Sequence, residues 1–453
     1  MAKKMARQSA RNDMNLGRKL MAIPLTALLV KILIIANIEN HVWIGADGEN
    51  YLKALEGLLS DGVFSKENLL SYWPAGYPLF MHLLGSLSLS NLLTITALVQ
   101  SLLYAAASLF FVREISKTNL SKYTYWIAWI LAINPTLSLS SVVIGYEVIP
   151  ASIFLLVLTL FIRDFKSNNK KYISVNSVSA AALLSFSCFV QPRFLLTSVV
   201  LFLVWALYTR PKKVIPLFLL VTLLITAILP SSLAIRNSQA NGYLAISTNL
   251  GVTMNLGTGP GANGKYNPNG KYGVPCDAID GNAAQKDSHL VRCVVKWNLL
   301  NPTKSIPQLW TKAVAFWSPW IGPEASGSMA RNPWLKINPL KSISANSPEG
   351  NQLVYGNFGK LVSWVWMLGT LLLMLLGFKA LWSADGLSKK LGTVTFLIVF
   401  LNWAISIGTL GDHRQRVPIM TVTLFLQVIG FLSLFGKKWR IEPELQIKQN
   451  EKK

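Results

Sequence analysis

The chain has 453 residues, of which 52% are hydrophobic and only 14% charged, and its mean hydropathy is +0.40. Because an ordinary soluble domain carries about 25% charged residues, this composition excludes a soluble globular protein and indicates a polytopic membrane protein. The net charge of +23 would suggest nucleic-acid binding in a soluble protein. Here Lys and Arg lie in short segments between apolar stretches, as membrane orientation requires, so we expect a lipid bilayer as partner and no nucleic acid.

Ten apolar segments can be matched to a bilayer core of roughly 30 Å, which a helix crosses in about 17 to 25 residues. They are residues 21–38, 93–112, 124–141, 148–162, 174–190, 194–208, 214–233, 358–382, 391–409 and 417–435. The segments 148–162 and 194–208 are short for a span. The predicted fold class is therefore an all-α polytopic membrane protein with about ten transmembrane helices, and with interfacial helices near 48–60 and 73–90.

Lys and Arg collect at the N-terminus, in every second segment between the spans and in the tail, which is the pattern of cytoplasmic segments. Both termini are therefore predicted to be cytoplasmic, in a multi-pass protein of the plasma membrane. The predicted parts are a basic arm at 1–20, a transmembrane module at 21–233 with its first external loop at 39–92, an extracytoplasmic region at 234–357 between the seventh and eighth spans, C-terminal transmembrane helices at 358–436, and a cytoplasmic tail at 437–453.

Three carboxylates lie where the external face is expected. Asp47 and Glu49 stand in the run GADGENY directly after the first span, and Glu147 stands at the mouth of the fourth. Ionisable side chains at a membrane face are candidates for function. Two of them also have a simpler interpretation: Asp47 as a solvated loop residue, and Glu147 as the partner of an arginine or of a helix dipole. The following run YWPAGYPLF at 72–80 combines helix-breaking prolines and glycine with aromatic residues that suit the bilayer interface.

Basic residues reach the same predicted face in three further turns. Arg193 lies between the fifth and sixth spans, Arg236 follows the seventh, and the turn GDHRQRVP brings His413, Arg414 and Arg416 to the start of the tenth. A guanidinium donates paired hydrogen bonds and stays charged, which suits a phosphate or pyrophosphate group. The alternative for any single arginine here is an interface anchor that reaches lipid phosphates.

The predicted extracytoplasmic region contains two further features. ISTNLGVTMNLGTGPGANGKY at 246–266 is rich in residues that let backbone amides approach a phosphate or sugar, although a turn-rich surface loop has the same composition. Cys276 and Cys293 are close enough in sequence for a disulfide, which would contribute about 3 kcal/mol in an oxidising envelope. Two free thiols are the alternative, because spacing alone does not fix the geometry.

These features together resemble a known group of enzymes. An acidic first loop, PAGYPLF, a Glu at the mouth of a later span, an external region that begins AIRNSQANGYLAISTNLGVTMNLG, and a late HRQRVPI are similar to the GT-C superfamily of polytopic glycosyltransferases. The resemblance runs from about 20 to 436 and is closest to the branch with bacterial lipopolysaccharide-core sugar transferases, the aminoarabinose transferase and protein O-mannosyltransferases. We therefore expect a GT-C-like fold.

The resemblance implies an inverting glycosyltransferase that moves a sugar from a polyprenyl-phosphate carrier to a lipid, glycan or protein acceptor outside the membrane. Asp47 would be the general base, and the arginines would hold the donor phosphate. The protein O-mannosyltransferases have an adjacent Asp-Glu pair, whereas here Gly48 separates Asp47 from Glu49. The choice of base between the two therefore stays open.

Three questions remain open at the level of sequence. A divalent cation held by Asp47 with Glu49 or Glu147 would fit some relatives, but no ligand spacing is specific, so the metal and any other cofactor are unassigned. A flippase or transporter of lipid-linked sugar could use the same external arginines. A lipid-linked glycan polymerase or ligase shares the large external loop, but the carboxylate between the first two spans favours the transferase.

Overall fold

The structure is a computed structural model that describes residues 2–37, 43–44, 47–167, 172–264, 273–317, 357–436 and 439–441. Within these residues the regular secondary structure is helical apart from two short strands that pair with each other. Part of the predicted extracytoplasmic region and almost all of the predicted tail lie outside the described residues.

The described residues before 168 form eight helices and both strands, with short 3-10 turns at Ser121–Tyr123 and Ser140–Val142. In chain order the elements are α1 Ala2–Asn37, β1 Trp43–Ile44, α2 Gly48–Asp61, α3 Leu69–Tyr72, α4 Gly76–Gly85, α5 Leu92–Ile115, α6 Thr124–Ile133, α7 Pro135–Leu139, β2 Val143–Ile144 and α8 Val148–Lys166.

The described residues after 171 add nine α-helices and two 3-10 helices, Lys212–Val214 and His413–Ile419. The helices are α9 Val175–Val190, α10 Phe194–Thr209, α11 Ile215–Asn241, α12 Leu250–Asn255, α13 Ala283–Leu300, α14 Pro302–Trp317, α15 Asn357–Trp382, α16 Leu387–Gly408 and α17 Met420–Ser433.

Seven helical segments of the described chain are long and apolar enough to cross a membrane. They are Leu20–Asn37, Leu92–Ile115, Val148–Lys166, Lys212–Asn241, Trp364–Trp382, Leu387–Gly408 and Arg414–Ser433. Two shorter apolar helices, α9 and α10, occupy the predicted fifth and sixth spans. The sequence thus predicted helices at these nine places, and within the described residues seven of them have the length and composition of a full span. The count of about ten spans stays a prediction.

The predicted span at 124–141 is wrong as a continuous helix. Its helix α6 ends at Ile133, and α7 begins at Pro135. A residue before proline is disfavoured in the helical region, and proline has no N–H to continue the ladder. Asn134 instead adopts an extended backbone and its side chain accepts a hydrogen bond from the Leu137 N–H at 2.9 Å, which caps α7. The break between α6 and α7 lets the chain change direction before β2.

Two spans lie in the middle of the bundle. The windows of α8 and of Arg414–Ser433 are 78% and 83% buried, whereas that of α15 is only 22% buried. Apolar side chains of α8 such as Phe154 and Phe161 are fully buried. Because both central helices begin at a residue singled out by the sequence, Glu147 before α8 and Arg414 before α17, the best-packed part of the bundle carries the candidate site at one end.

Glycines bring α15 and α17 into direct backbone contact. A Cβ added to Gly377 would overlap the carbonyl of Leu426, and one added to Gly430 would overlap the carbonyl of Leu373. Small residues at helix interfaces are the usual means by which membrane helices approach closely, since lipid tails provide no hydrophobic drive for association. The contact fixes α17, and therefore the residues that precede it.

Gly377→Ala is expected to destabilise the protein by about 1 to 3 kcal/mol, because the new methyl group meets backbone that cannot swing away. The measurement is thermal or denaturant unfolding in detergent. Gly369→Ala is the matched control on the same helix, since a Cβ at that position meets nothing within 4 Å. Equal stability of the two variants would contradict the close contact.

Candidate active site

The two short strands bring two carboxylates to one place. β1 and β2 pair in parallel, with Trp43 opposite Val143 and Ile44 opposite Ile144. Asp47 lies three residues after Ile44, and Glu147 lies three residues after Ile144. Because parallel strands leave a sheet at the same end, segments a hundred residues apart in sequence deliver their acidic side chains together.

A buried hydrogen-bond network holds β2 against the bundle. The Tyr77 hydroxyl donates to Gln100 Oε1 at 3.0 Å and accepts from the backbone N–H of Gly145 at 2.9 Å. Gln100 Nε2 donates to the carbonyl of Val143 at 2.9 Å. Tyr77 and Gln100 have no exposed side-chain surface. The tyrosine of the PAGYPLF motif therefore fixes the backbone two residues before Glu147.

Arg414 joins the two carboxylates. Its Nη1 donates to Oδ2 of Asp47, and its Nε donates to Oε1 of Glu147. The three side chains are only 14% to 16% exposed. The guanidinium also lies over the ring of Tyr146, with the carbon Cζ 5.6 Å from the ring centroid. Three segments of the chain thus meet at one partly buried ion cluster, which we call the acidic–arginine cluster (Asp47, Glu147 and Arg414).

The start of the 3-10 helix His413–Ile419 orients Arg414. Asp412 lies just before this helix, and its Oδ1 accepts a hydrogen bond from the Arg414 backbone N–H at 2.9 Å. A side-chain cap of this kind satisfies a terminal N–H and fixes where a helix begins. The local sequence therefore determines the position of the Arg414 backbone beside the ends of β1 and β2.

A second arginine lies beside the cluster. Arg193 donates from Nη2 to the carbonyl of Gln415 at 3.2 Å, and its guanidinium lies 4.8 Å from the ring centroid of Phe194. Its buried Nε has no hydrogen-bond partner. Burial lowers the pKa of Arg193 below the usual value for arginine, while Tyr146 and Glu147 act in the opposite direction. Arg193 thus retains an unused donor at the edge of the cluster.

Aromatic side chains lie near the cluster. Tyr51 on α2 packs edge-on against Tyr77, with ring centroids 5.0 Å apart, and against Trp73. Burial and then the charge of Asp47 raise the pKa of Tyr51, so its hydroxyl stays neutral. The hydroxyl of Tyr146 accepts a hydrogen bond from Gln191 Nε2 at 3.1 Å. These contacts surround the charges with neutral groups in which electrostatic interactions are stronger than in water.

Three other predicted site residues lie on α2 and on the 3-10 helix His413–Ile419. Glu49 is exposed on the first turn of α2. Arg416 is 7% exposed, and its guanidinium lies 5.9 Å from the ring centroid of Trp317. His413 belongs to the 3-10 helix, but its side chain is outside the described part of the structure.

Arg236 is engaged with the chain itself. Its Nε donates to the carbonyl of Val63 at 2.9 Å, its Nη1 to Leu70 O at 3.3 Å and to Asn237 Oδ1 at 2.8 Å, and its Nη2 to Ser65 O. The residue is 3% exposed. These contacts tie the segment after α2 to α11, and none of them involves the acidic–arginine cluster. A structural role accounts for the placement of Arg236.

Cys276 and Cys293 are thiols in the structure. Their side chains contact each other, and burial followed by this contact raises the pKa of Cys276 to about 12. Cys293 Sγ also lies 3.6 Å from His289 Nε2. The predicted disulfide therefore has its two sulfurs on neighbouring segments, and its formation stays a prediction.

A divalent cation does not fit the described residues of this site. Within the described chain no group of three or more His, Cys, Asp and Glu side chains is placed to hold a metal. Asp47 and Glu147 already converge on a positive group, the Arg414 guanidinium. A cation between the same two oxygens would be repelled by that charge, so we derive no step through a metal.

Several residues of the site could not be singled out from the sequence. Tyr51, Tyr77 and Tyr146 look like ordinary aromatic residues near a bilayer interface. Gln100 did carry a signal, because an uncharged polar side chain inside an apolar span needs a partner within the protein. Its partners on β2 and α4 became evident only in three dimensions.

No protein-family model matches the chain, and no curated protein matches it in sequence. Solved structures that are similar to it include the oligosaccharyltransferase of Archaeoglobus fulgidus in complex with Zn and sulfate, with 10% identity and a TM-score of 0.47, over 90% of this chain and 49% of the other. The archaeal oligosaccharyltransferase AglB from the same organism, in complex with an inhibitory peptide and a dolichol-phosphate, has 11% identity and a TM-score of 0.44, over 90% and 50%. The chain thus spans about half the length of these structures.

Tyr77→Phe is expected to lower the free energy of unfolding by about 1 to 3 kcal/mol, because it leaves the buried N–H of Gly145 and Oε1 of Gln100 without their partner. Unfolding in detergent measures the change. Tyr172→Phe removes the same hydroxyl from a residue that is 65% exposed and serves as control. A Tyr77→Phe variant as stable as the control would show that the network does not hold β2.

Proposed function

We propose that the protein is an inverting membrane glycosyltransferase that moves a sugar from a polyprenyl-phosphate carrier to an acceptor hydroxyl at the extracytoplasmic face of the plasma membrane. The observation that carries this proposal is the acidic–arginine cluster, in which carboxylates and a guanidinium from three segments meet at one end of the two central spans. The resemblance of PAGYPLF and HRQRVPI to the GT-C superfamily supports the same activity.

The proposed reaction needs a base, a positioned donor and a group that accepts the departing charge. Asp47 removes the proton from the acceptor hydroxyl, and the hydroxyl oxygen attacks the anomeric carbon of the donor sugar. The bond from that carbon to the phosphate oxygen breaks, and its electron pair leaves with the polyprenyl phosphate. A single displacement of this kind inverts the anomeric carbon, and a phosphate is already a good leaving group, so positioning and charge stabilisation supply most of the catalysis.

Asp47 is the better candidate for the base than Glu49. Arg414 binds Oδ2 of Asp47, which fixes the carboxylate and leaves Oδ1 to accept the proton. Glu49 lies on the exposed side of α2. Glu147 binds the Nε of the same guanidinium and so acts as the group that orients Arg414. The first-loop carboxylate would then be positioned by a residue of the last external turn.

Arg193 is the best candidate for the donor phosphate. Its Nε is an unused buried donor, whereas Arg414 is paired with carboxylates and Arg236 with carbonyl groups. Arg193 begins α10 and Arg416 lies in the segment that enters the last span, so both stand at an end of an apolar helix. A lipid-linked phosphate, which is confined to the membrane surface, would be presented at this level.

The proposal is tested by transfer of radiolabelled sugar from polyprenyl-phosphate donors in membranes, with envelope lipid, glycan and peptide fractions supplied as acceptors. Asp47→Asn is expected to lower the rate by roughly 10²- to 10⁴-fold, the usual contribution of a general base, while donor binding persists. Glu49→Gln is expected to retain transfer. Glu56→Gln, which changes another exposed carboxylate of α2, is the matched control.

Two results would contradict the role of Asp47, and two others would contradict the transferase activity itself. Full activity of Asp47→Asn at matched expression would remove Asp47 from the chemistry, and loss in Glu49→Gln alone would move the base to that residue. Translocation of the lipid-linked sugar without transfer would instead assign the protein to the flippases, and extension of a lipid-linked glycan would assign it to the polymerases or ligases.

A further inference from the structure

The helix α14 is attached to a glycine-rich segment of the predicted extracytoplasmic region. We call residues 256–264 the glycine loop. Gln308 of α14 donates from Nε2 to the carbonyls of Gly259 and Ala262, both at 2.8 Å, and its Oε1 accepts from the Gly259 N–H at 3.2 Å. The sequence suggested that backbone groups of this loop approach a phosphate or sugar. At Gly259 these groups are instead hydrogen-bonded to Gln308 of α14.

Lys312, one turn further along α14, connects the loop to the turn before Arg414. Its Nζ donates to Thr258 Oγ1 at 2.8 Å, to Thr409 O at 2.5 Å and to Met254 O at 3.4 Å. An ammonium group has three donors, and these contacts use all three. The side chain is 1% exposed, and burial lowers the pKa of Lys312 to about 8. Hydrogen bonds within the protein therefore take the place of those that water would make to the ammonium group.

The same turn touches the backbone of α14 directly. A Cβ added to Gly411 would overlap the Cα and Cβ of Lys312 and lie 2.6 Å from its carbonyl oxygen. Only a glycine allows this approach, and a bulkier residue would displace the turn because the backbone of α14 cannot rotate away. A further tie lies next to it, where Trp403 Nε1 donates to Ala313 O at 3.1 Å.

Displacement of this turn would be passed on to Arg414. Thr409 and Gly411 precede Arg414 by five and three residues, and Asp412, which follows Gly411, caps the Arg414 N–H. The guanidinium must meet oxygens from two other segments of the chain, Asp47 and Glu147. A small shift of the turn would therefore break at least one of the two contacts.

We infer that Lys312 is a positioning residue: with Gly411 it holds the turn at 409–412 against α14, so that Arg414 bridges Asp47 and Glu147. The role of this device in catalysis rests on the proposed glycosyltransferase function. Through Thr258 the same lysine ties the glycine loop to the cluster, so the predicted extracytoplasmic region contributes to the geometry of a site whose three charged side chains all lie outside it.

The first test compares steady-state transfer by Gly411→Ala and Lys312→Met with that of the wild type. Each is expected to lower kcat by roughly 10²-fold, the effect of misplacing a catalytic group by about 1 Å, with the KM for the polyprenyl-phosphate donor little changed. Lys312→Arg keeps a cation with several donors and is expected to retain more activity than Lys312→Met. Gly408→Ala is the matched control, because a Cβ there meets nothing within 4 Å.

The second test does not depend on activity. Melting temperatures in detergent are measured for Lys312→Met, Arg414→Gln and the double variant. If Lys312 acts through the position of Arg414, the double variant loses less than the sum of the two single losses, since removing either residue already frees the turn. These curves also show whether each variant is folded.

The outcomes separate this inference from the proposed function. An active wild type with full kcat in Gly411→Ala and Lys312→Met would overturn the positioning role and leave the transferase proposal intact. A wild type without transfer would overturn the transferase proposal, and the melting temperatures alone would then decide the inference. Strictly additive losses would overturn the coupling between Lys312 and Arg414.

Discussion

Two carboxylates placed side by side repel each other unless a positive group lies between them, and at this site Arg414 is that group. The contact joins three segments that are far apart in sequence: the end of β1, the end of β2 and the turn before the last span. Each segment is fixed separately, by the strand pairing, by the Tyr77–Gln100 network and by the Asp412 cap. Removing one charge would leave the others partly buried and uncompensated, which is more destabilising than loss of an exposed ion pair.

The rest of the fold provides rigidity at the end of the bundle that carries the candidate site. The central helices begin at the candidate site, and the glycine contact with α15 fixes the axis of α17. Helix α14 lies against the turn that leads to Arg414. Catalysis by preorganised charges needs this kind of support, because groups that must reorient during the reaction lose most of their effect. A bundle with a packed centre and with peripheral spans exposed to lipid can supply this support in a largely apolar chain.

The sequence predicted much of the helical framework because long apolar segments have few alternatives in a bilayer. The prediction of one continuous helix at 124–141 was wrong, because it followed the hydropathy of the segment and not the helix-breaking pair Asn134–Pro135. The sequence did not indicate the partners of Arg236, because they are carbonyl groups, which leave no pattern in side-chain chemistry. The pairing of Arg414 with Asp47 and Glu147 depends on two parallel strands of two residues each. Strands this short cannot be recognised in the sequence. Lys312 resembled any solvated lysine of an amphipathic helix.

The most direct test of this account is a double-mutant cycle between Asp47 and Arg414, with the free energy of unfolding in mixed detergent micelles as the readout. The variants are Asp47→Asn, Arg414→Gln and the double substitution. Side chains in contact within one ionic network are expected to show a coupling energy of about 0.5 to 3 kcal/mol. Additive effects, within about 0.3 to 0.5 kcal/mol, would mean that the two residues do not interact, and would contradict the site on which the proposed chemistry depends.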